Sequence, residues 1–344
     1  MLTVALTASA AVTPALASGP PKADMTELFT WYHPATGRIG QSWWQSAVAL
    51  STLETYQQTT GDTSYELAIP VSFARYAHTD FEDSYNDDTG WWGLAWLQAY
   101  QLDRPRLPDA SQYLAMAETD ADYMHESWDS TCGGGLWWTT GRTYKNAITN
   151  ELFLELTAWL HNTLPHDTKY LRWAKAEWAW FRRSGMINGR GLVNDGLDGR
   201  CANNHQPTWT YNQGVILAGL AQLYVATGNP GQLREAEAIA GAAISRLSVR
   251  GVLREPCRGS GCGPNFRDVQ SFKGIFTRDL KVLAVTAGTS RFNSFFVTQA
   301  KSVESRDTRH HQLGFLWAGP VTDVTSASQA SGLDALVAAL SLPG

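Results

Sequence analysis

Twelve stretches of apolar residues at helical spacing follow one another along this chain, separated by turn-formers, and strand-type alternation is nearly absent. Caps and breakers place the helices near residues 22–33, 41–60, 63–77, 88–102, 109–128, 146–163, 168–183, 210–227, 231–249, 270–287, 290–306 and 323–340. The segments alternate in character. Those at 41–60, 88–102, 146–163, 210–227 and 270–287 are apolar nearly all round, with small residues such as Ala49, Ala95, Ala158 and Gly219; those at 168–183, 231–249 and 290–306 carry Lys, Arg and Glu on one face. A helix apolar on every side is buried, and one with a charged face lies outside. The order predicts an all-α fold, an (α/α)6 barrel or toroid of six helical hairpins with an inner ring wrapped by an outer one. The loops that lead into the inner helices then gather at one end of the ring. No linker or low-complexity tract marks a second domain, so residues 22–344 are read as one domain.

Residues 2–17 form an apolar stretch of small residues ending in Ala15-Leu16-Ala17, which reads as the h-region and cleavage site of a secretory signal spanning 1–17. The positively charged n-region is missing, as in a truncated signal. The stretch is too short, and too broken by Pro14, to span a membrane. Four cysteines fit export. Cys257 and Cys262 flank a flexible four-residue turn and are expected to pair, leaving Cys132 with Cys201. The spacing of Cys201 and His205 also suits a metal, but no second ligand pair accompanies them, so no metal and no other cofactor is expected. A net charge of -5 without a Lys/Arg cluster excludes a nucleic-acid partner.

The chain has 15 Trp, with pairs at Trp43-Trp44, Trp91-Trp92 and Trp137-Trp138. An open groove uses the flat face of Trp against the C–H side of a sugar ring, so some of these are expected to line a site while the rest pack the core. The sharpest motif is Tyr85-Asn86-Asp87-Asp88-Thr89-Gly90-Trp91-Trp92, just ahead of an inner helix. One Asp would cap and complement that helix; two are more than capping needs. If both face a Trp-walled cleft, their repulsion holds the proton on one while the other stays ionised, which yields a general acid and a nucleophile or base. Retaining glycosidases place two such carboxyls about 5–5.5 Å apart, within reach of adjacent residues at a loop-to-helix junction.

Other inner-helix entrances carry similar material. Gly133-Gly134-Gly135-Leu136-Trp137-Trp138 offers a tight turn and an aromatic platform, and Tyr144, Lys145 and Asn146 supply donors and acceptors for sugar hydroxyls. Asp195 either holds a hydroxyl or makes an Asp-Gly turn. Tyr211 and Asn212 open the 210–227 helix. Lys273 and Arg278, in an apolar frame, are expected to pair with acids.

At these residues the chain resembles glycoside hydrolase family 76, the endo-α-1,6-mannanases. The similarity rests on ordered blocks: Trp43-Trp44-Gln45, Asp87-Asp88 with Trp91-Trp92, Gly134 to Trp138, Tyr144-Lys145-Asn146 with Asn150-Glu151-Leu152, Thr210 to Gly214, and Phe272 to Phe276. The resemblance implies an (α/α)6 barrel that cleaves α-1,6-linked mannan with retention and without a metal, Asp87 acting as nucleophile and Asp88 as acid/base. It also implies sugar contacts from Asp195 and from Trp and Tyr side chains. The substrate-binding set expected from both lines of reasoning is Trp43, Trp44, Asn86, Trp91, Trp137, Trp138, Tyr144, Lys145, Asn146, Asp195, Tyr211, Asn212 and Lys273. The expected partner is α-1,6-mannan or a manno-oligosaccharide, met outside the cell by a monomer. Two rivals share these residues: a mannosyl transglycosidase on the same scaffold, and a glycan-binding protein without activity.

Overall fold

The computed structural model describes residues 19, 21–257 and 259–344; the signal expected at 1–17 lies outside the described residues. Among the described residues twelve α-helices form, one for each predicted segment: α1 (Lys22–Phe29), α2 (Trp43–Thr60), α3 (Ala68–Tyr76), α4 (Asn86–Asp103), α5 (Ser111–His125), α6 (Ala147–Thr163), α7 (Lys169–Ser184), α8 (Thr210–Thr227), α9 (Pro230–Arg246), α10 (Val269–Thr286), α11 (Asn293–Arg306) and α12 (Ser326–Ala338). The even-numbered helices make the inner ring. Each packs on the next, α2 on α4 through to α12, and α12 returns to α2, which closes the barrel.

Sequence character sorts the two rings. On α6, thirteen residues from Ala147 to Leu160 are buried, in keeping with a helix apolar on all sides. On α7, Tyr170, Ala174, Trp178 and Phe181 face inward and Lys175, Arg182 and Arg183 face solvent. Small residues let the inner helices approach. A Cβ on Gly274 of α10 would lie 2.4 Å from the Ser331 Cα of α12, so only glycine fits that crossing. Helix ends follow local chemistry: Gly61, Gly185 and Gly228 close α2, α7 and α8 in the left-handed conformation, and Thr325 and Ser328 form a capping box at α12.

Three antiparallel two-residue hairpins were not anticipated: Tyr32–His33 with Arg38–Ile39 (β1, β2), Ser248–Val249 with Val252–Leu253 (β3, β4), and Thr308–Arg309 with Gln312–Leu313 (β5, β6). Two residues per strand are too few to leave a period in the sequence. Both expected disulfides form, Cys132–Cys201 and Cys257–Cys262. The first joins the α5–α6 connection to the α7–α8 connection across 69 residues of chain. Its reduction is expected to cost about 2–4 kcal/mol, mainly by releasing the unfolded chain, which denaturant melts with and without reductant would measure. Among the described residues, no helix is long and apolar enough to cross a membrane.

Candidate active site

The N-terminal ends of the inner helices face one end of the barrel, and a cavity of about 490 Å³ opens among them. Side chains from several entrances converge there: Trp44 begins α2, Asp87, Asp88 and Trp91 lie in the first turns of α4, Asn146 caps α6, Tyr211 begins α8, and Phe272 lies in the first turn of α10. The α5–α6 connection adds Trp138 and Tyr144, and the α7–α8 connection adds Asp195, Gln206, Pro207 and Trp209.

Two carboxylates side by side at the start of α4 are distinguished by their partners. Asp87 Oδ2 accepts the Trp138 indole N–H at 3.0 Å, whereas among the described residues Asp88 has no such donor. Burial raises the proton affinity of both. For Asp87 the Trp138 bond and the backbone N–H groups at the helix start oppose the rise; for Asp88 the neighbouring Asp87 charge adds to it. The pair titrates as a unit, and its first proton rests on Asp88. A third carboxylate, Asp268, precedes α10, lines the cavity and accepts the Trp44 indole N–H at 3.3 Å.

Asp195 stands across the cavity as the end of a hydrogen-bond chain: Asn204 donates to the Tyr144 hydroxyl at 2.8 Å, and that hydroxyl donates to Asp195 Oδ2 at 2.6 Å. Flat faces complete the walls. Tyr211 stacks on Phe272 with centroids 3.8 Å apart, and Trp44 stacks on Trp91 at 5.8 Å. Aromatic planes beside carboxylates suit a ring with an apolar C–H face and a hydroxylated edge.

Of the side chains expected from the sequence, Trp44, Asp87, Asp88, Trp91, Trp138, Tyr144, Asn146, Asp195 and Tyr211 come together here. Six do not. Trp43 packs into the aromatic core against Tyr76, Phe81 and Trp92. Asn86 is buried and its amide donates to Ser127 Oγ and the Trp137 carbonyl, tying α4 to the α5–α6 connection. Trp137 turns away to donate to Asp129 Oδ2 at 2.8 Å. Asn212 is buried behind Tyr211 on α8. Lys145 and Lys273 are corrected for one reason: a buried ammonium is satisfied by protein oxygens. Lys145 donates to Asp129 Oδ1 at 2.9 Å and to the carbonyls of Thr131, Gly134 and Gly135 at 2.7–2.8 Å. Lys273 donates to the Phe315 carbonyl. Arg278 does pair with acids, lying 3.5 Å from Asp334.

The site set expected from the sequence lacked Tyr85, Gln206, Pro207, Trp209, Asp268 and Phe272, which also line the cavity. Asp268 obeyed the same entrance rule as Asp87 and Asp88, since it immediately precedes an inner helix. Cys201, set beside His205 as a metal alternative, is held in its disulfide. Among the described residues, no group of three His, Cys, Asp or Glu side chains is arranged to hold a metal ion.

A closed ring of helix pairs with a carboxylate couple and aromatic walls at the inner-helix entrances defines a helical toroid of the carbohydrate-active kind. The chain belongs to glycosyl hydrolase family 76, whose family model matches residues 22–342. Two relatives show the level of similarity. One is a putative mannan endo-1,6-α-mannosidase of Schizosaccharomyces pombe, 28% identical over 69% of this chain and 57% of that protein. The other is mannan endo-1,6-α-mannosidase DFG5 of Saccharomyces cerevisiae, 29% identical over 86% of this chain and 67% of that protein. This chain spans about half to two thirds of the length of such relatives. Among solved structures, the α-1,6-mannanase GH76A of Salegentibacter sp. HEL1_6 shares the fold with a TM-score of 0.81 at 24% identity, over 93% of this chain and 98% of that one. That structure is an inactive variant with two consecutive Asp→Asn substitutions, in complex with α-1,6-mannotriose.

Proposed function

We propose that the chain is a secreted, monomeric endo-acting hydrolase that cleaves α-1,6-mannosidic linkages of mannan with retention, through a covalent mannosyl-enzyme. The observation that carries this reading is the couple at the start of α4: adjacent, half-buried carboxylates in an aromatic-walled cavity, with a side-chain hydrogen-bond donor on one and, among the described residues, none on the other. Asp87 is the nucleophile and Asp88 the acid/base. The proton on Asp88 passes to the glycosidic oxygen as the bond to the anomeric carbon breaks, and an Asp87 oxygen bonds to that carbon. Water then attacks the same carbon, Asp88 takes its proton, and Asp87 leaves. The relatives' names support the mannan substrate, and the loss of activity in the doubly substituted mannanase supports the aspartate couple. Two disulfides support an oxidising compartment.

Retention predicts that the first-formed reducing end is the α-anomer. Proton NMR of the early products tests this, and a β-anomer would mean that water attacks directly. The couple also sets a pH window. Activity needs Asp87 ionised and is lost as pH falls through its raised pKa; it needs Asp88 protonated and is lost as pH rises through its still higher one. The kcat/KM profile is therefore expected to be bell-shaped, with its acid limb above the ordinary carboxylate pKa of about 4. A profile flat from pH 5 upward contradicts the split.

A further inference from the structure

A second cavity, of about 280 Å³, opens beside the first, between the β3–β4 hairpin with the loop after it and the segment 315–319. Its charge is opposite. The catalytic cavity is lined by Asp87, Asp88, Asp195 and Asp268 and by no cation. The second is lined by Arg250, Arg254, Lys273 and Arg306 against one acid, Glu255. Glu255 is already engaged: buried, it accepts the Thr210 backbone N–H at 3.1 Å and the Thr210 hydroxyl. Asp307, buried nearby, also acts on Lys273, whose buried ammonium already donates to the Phe315 carbonyl, so the cations left to a ligand are the three arginines. The three arginines are exposed, and among the described residues none has a carboxylate within ion-pair reach. Trp317, on the same wall, is 1% exposed, and its indole N–H has no acceptor among the described residues.

The two cavities share a thin partition. Phe272 lines the catalytic one and the next residue, Lys273, lines the other. Thr210, gripped by Glu255, sits between Trp209 and Tyr211, which both line the catalytic cavity. Phe315, a wall of the basic pocket, packs with Trp209 and Phe272 in one small apolar cluster. A glycan held in the first cavity thus has the second as its neighbour.

We propose that the basic pocket is an anion subsite that holds a phosphate-class substituent carried by the glycan in the catalytic cavity. Guanidinium groups present forked N–H donors that match phosphate oxygens, and an unsubstituted mannan offers such a cluster no negative charge to pair with. The glycan half of this inference rests on the mannan reading above; the anion half does not.

The test compares the intact protein with its Arg250→Ala/Arg254→Ala double variant, both exposed positions. Binding is read by calorimetry in an Asp88→Asn background, so that ligands are not cut, with α-1,6-mannotriose, the same triose carrying a terminal 6-phosphate, and inorganic phosphate. Turnover of neutral linear mannan is read with Asp88 intact. The expected result is about tenfold tighter binding of the phosphorylated triose than of the neutral one, with that advantage lost in the double variant. Turnover of neutral mannan should be equal in both. Equal affinity for the two trioses, or an advantage that survives the double substitution, overturns the proposal. Inorganic phosphate bound while the trioses bind equally overturns it as well, and makes the pocket a free-anion site. Failure of the mannan reading has another signature: neither neutral triose binding nor mannan cleavage, with arginine-dependent phosphate binding intact, which supports the anion pocket alone.

Discussion

Asp88→Asn is expected to lower kcat on linear α-1,6-mannan by about 10²–10⁴-fold while leaving the melting temperature nearly unchanged. The fold tolerates the change because Asp88 already holds its proton at neutral pH, so a neutral amide of the same shape replaces a neutral acid. Activity does not tolerate it because an amide cannot deliver a proton to the departing oxygen. Asp87→Asn turns the attacking carboxylate into an uncharged, weakly nucleophilic amide and is expected to lose at least as much. The two variants separate on a mannoside with an activated aryl leaving group, which needs no proton. That substrate should recover much of the first step for Asp88→Asn and none for Asp87→Asn. Recovery in the opposite variant would exchange the two roles.

Lys145→Met is expected to destabilise the protein by about 3–5 kcal/mol, because the partners of a buried charge are left unsatisfied. The Lys145 side chain is 1% exposed. Its ammonium gathers Asp129 and the carbonyls of Thr131, Gly134 and Gly135 into one knot and lies 4.8 Å from the centre of the Trp137 ring. The knot fixes the glycine turn. A Cβ on Gly135 would fall 2.3 Å from the Trp180 ring, so that turn is held against an aromatic surface without room for adjustment. Trp138 and Tyr144 follow on the same connection, so the knot sets the wall that reaches Asp87 and Asp195. Urea midpoints of wild type and variant measure the effect. A raised KM with unaltered stability would instead make Lys145 a substrate contact.

How far the sequence could be read follows from what each signal encodes. Periodicity reports which face of a helix is apolar, and that was enough for the twelve helices and for sorting five inner and three outer ones, while the segments that became α1, α3, α5 and α12 carried no such contrast. The position of a residue just ahead of an inner helix carried most of the site, because parallel inner helices bring all their entrances to one end. The same rule did not separate Tyr144 from Lys145. The two are adjacent, yet Tyr144 reaches into the cavity toward Asp195 while Lys145 points the other way into carbonyls. Polarity shows that a side chain needs partners and says nothing of which side they stand on. Trp43 and Trp44 divide likewise, one into the core and one onto the cavity wall. Trp209 and Gln206 lay in a connection without period, and only their neighbourhood to Thr210 marked them. The pairing of Glu255 with Thr210 joins residues 45 apart and left no trace in either segment.

The most direct test of the central claim is to incubate the protein with linear α-1,6-mannan, beside Asp88→Asn, and follow reducing ends and oligosaccharide sizes over time. The account predicts a rapid fall in chain length to short manno-oligosaccharides with the wild type and almost none with the variant. Binding of mannan without cleavage, or products longer than the starting chains, would contradict a hydrolase and point to a glycan-binding or transferring protein.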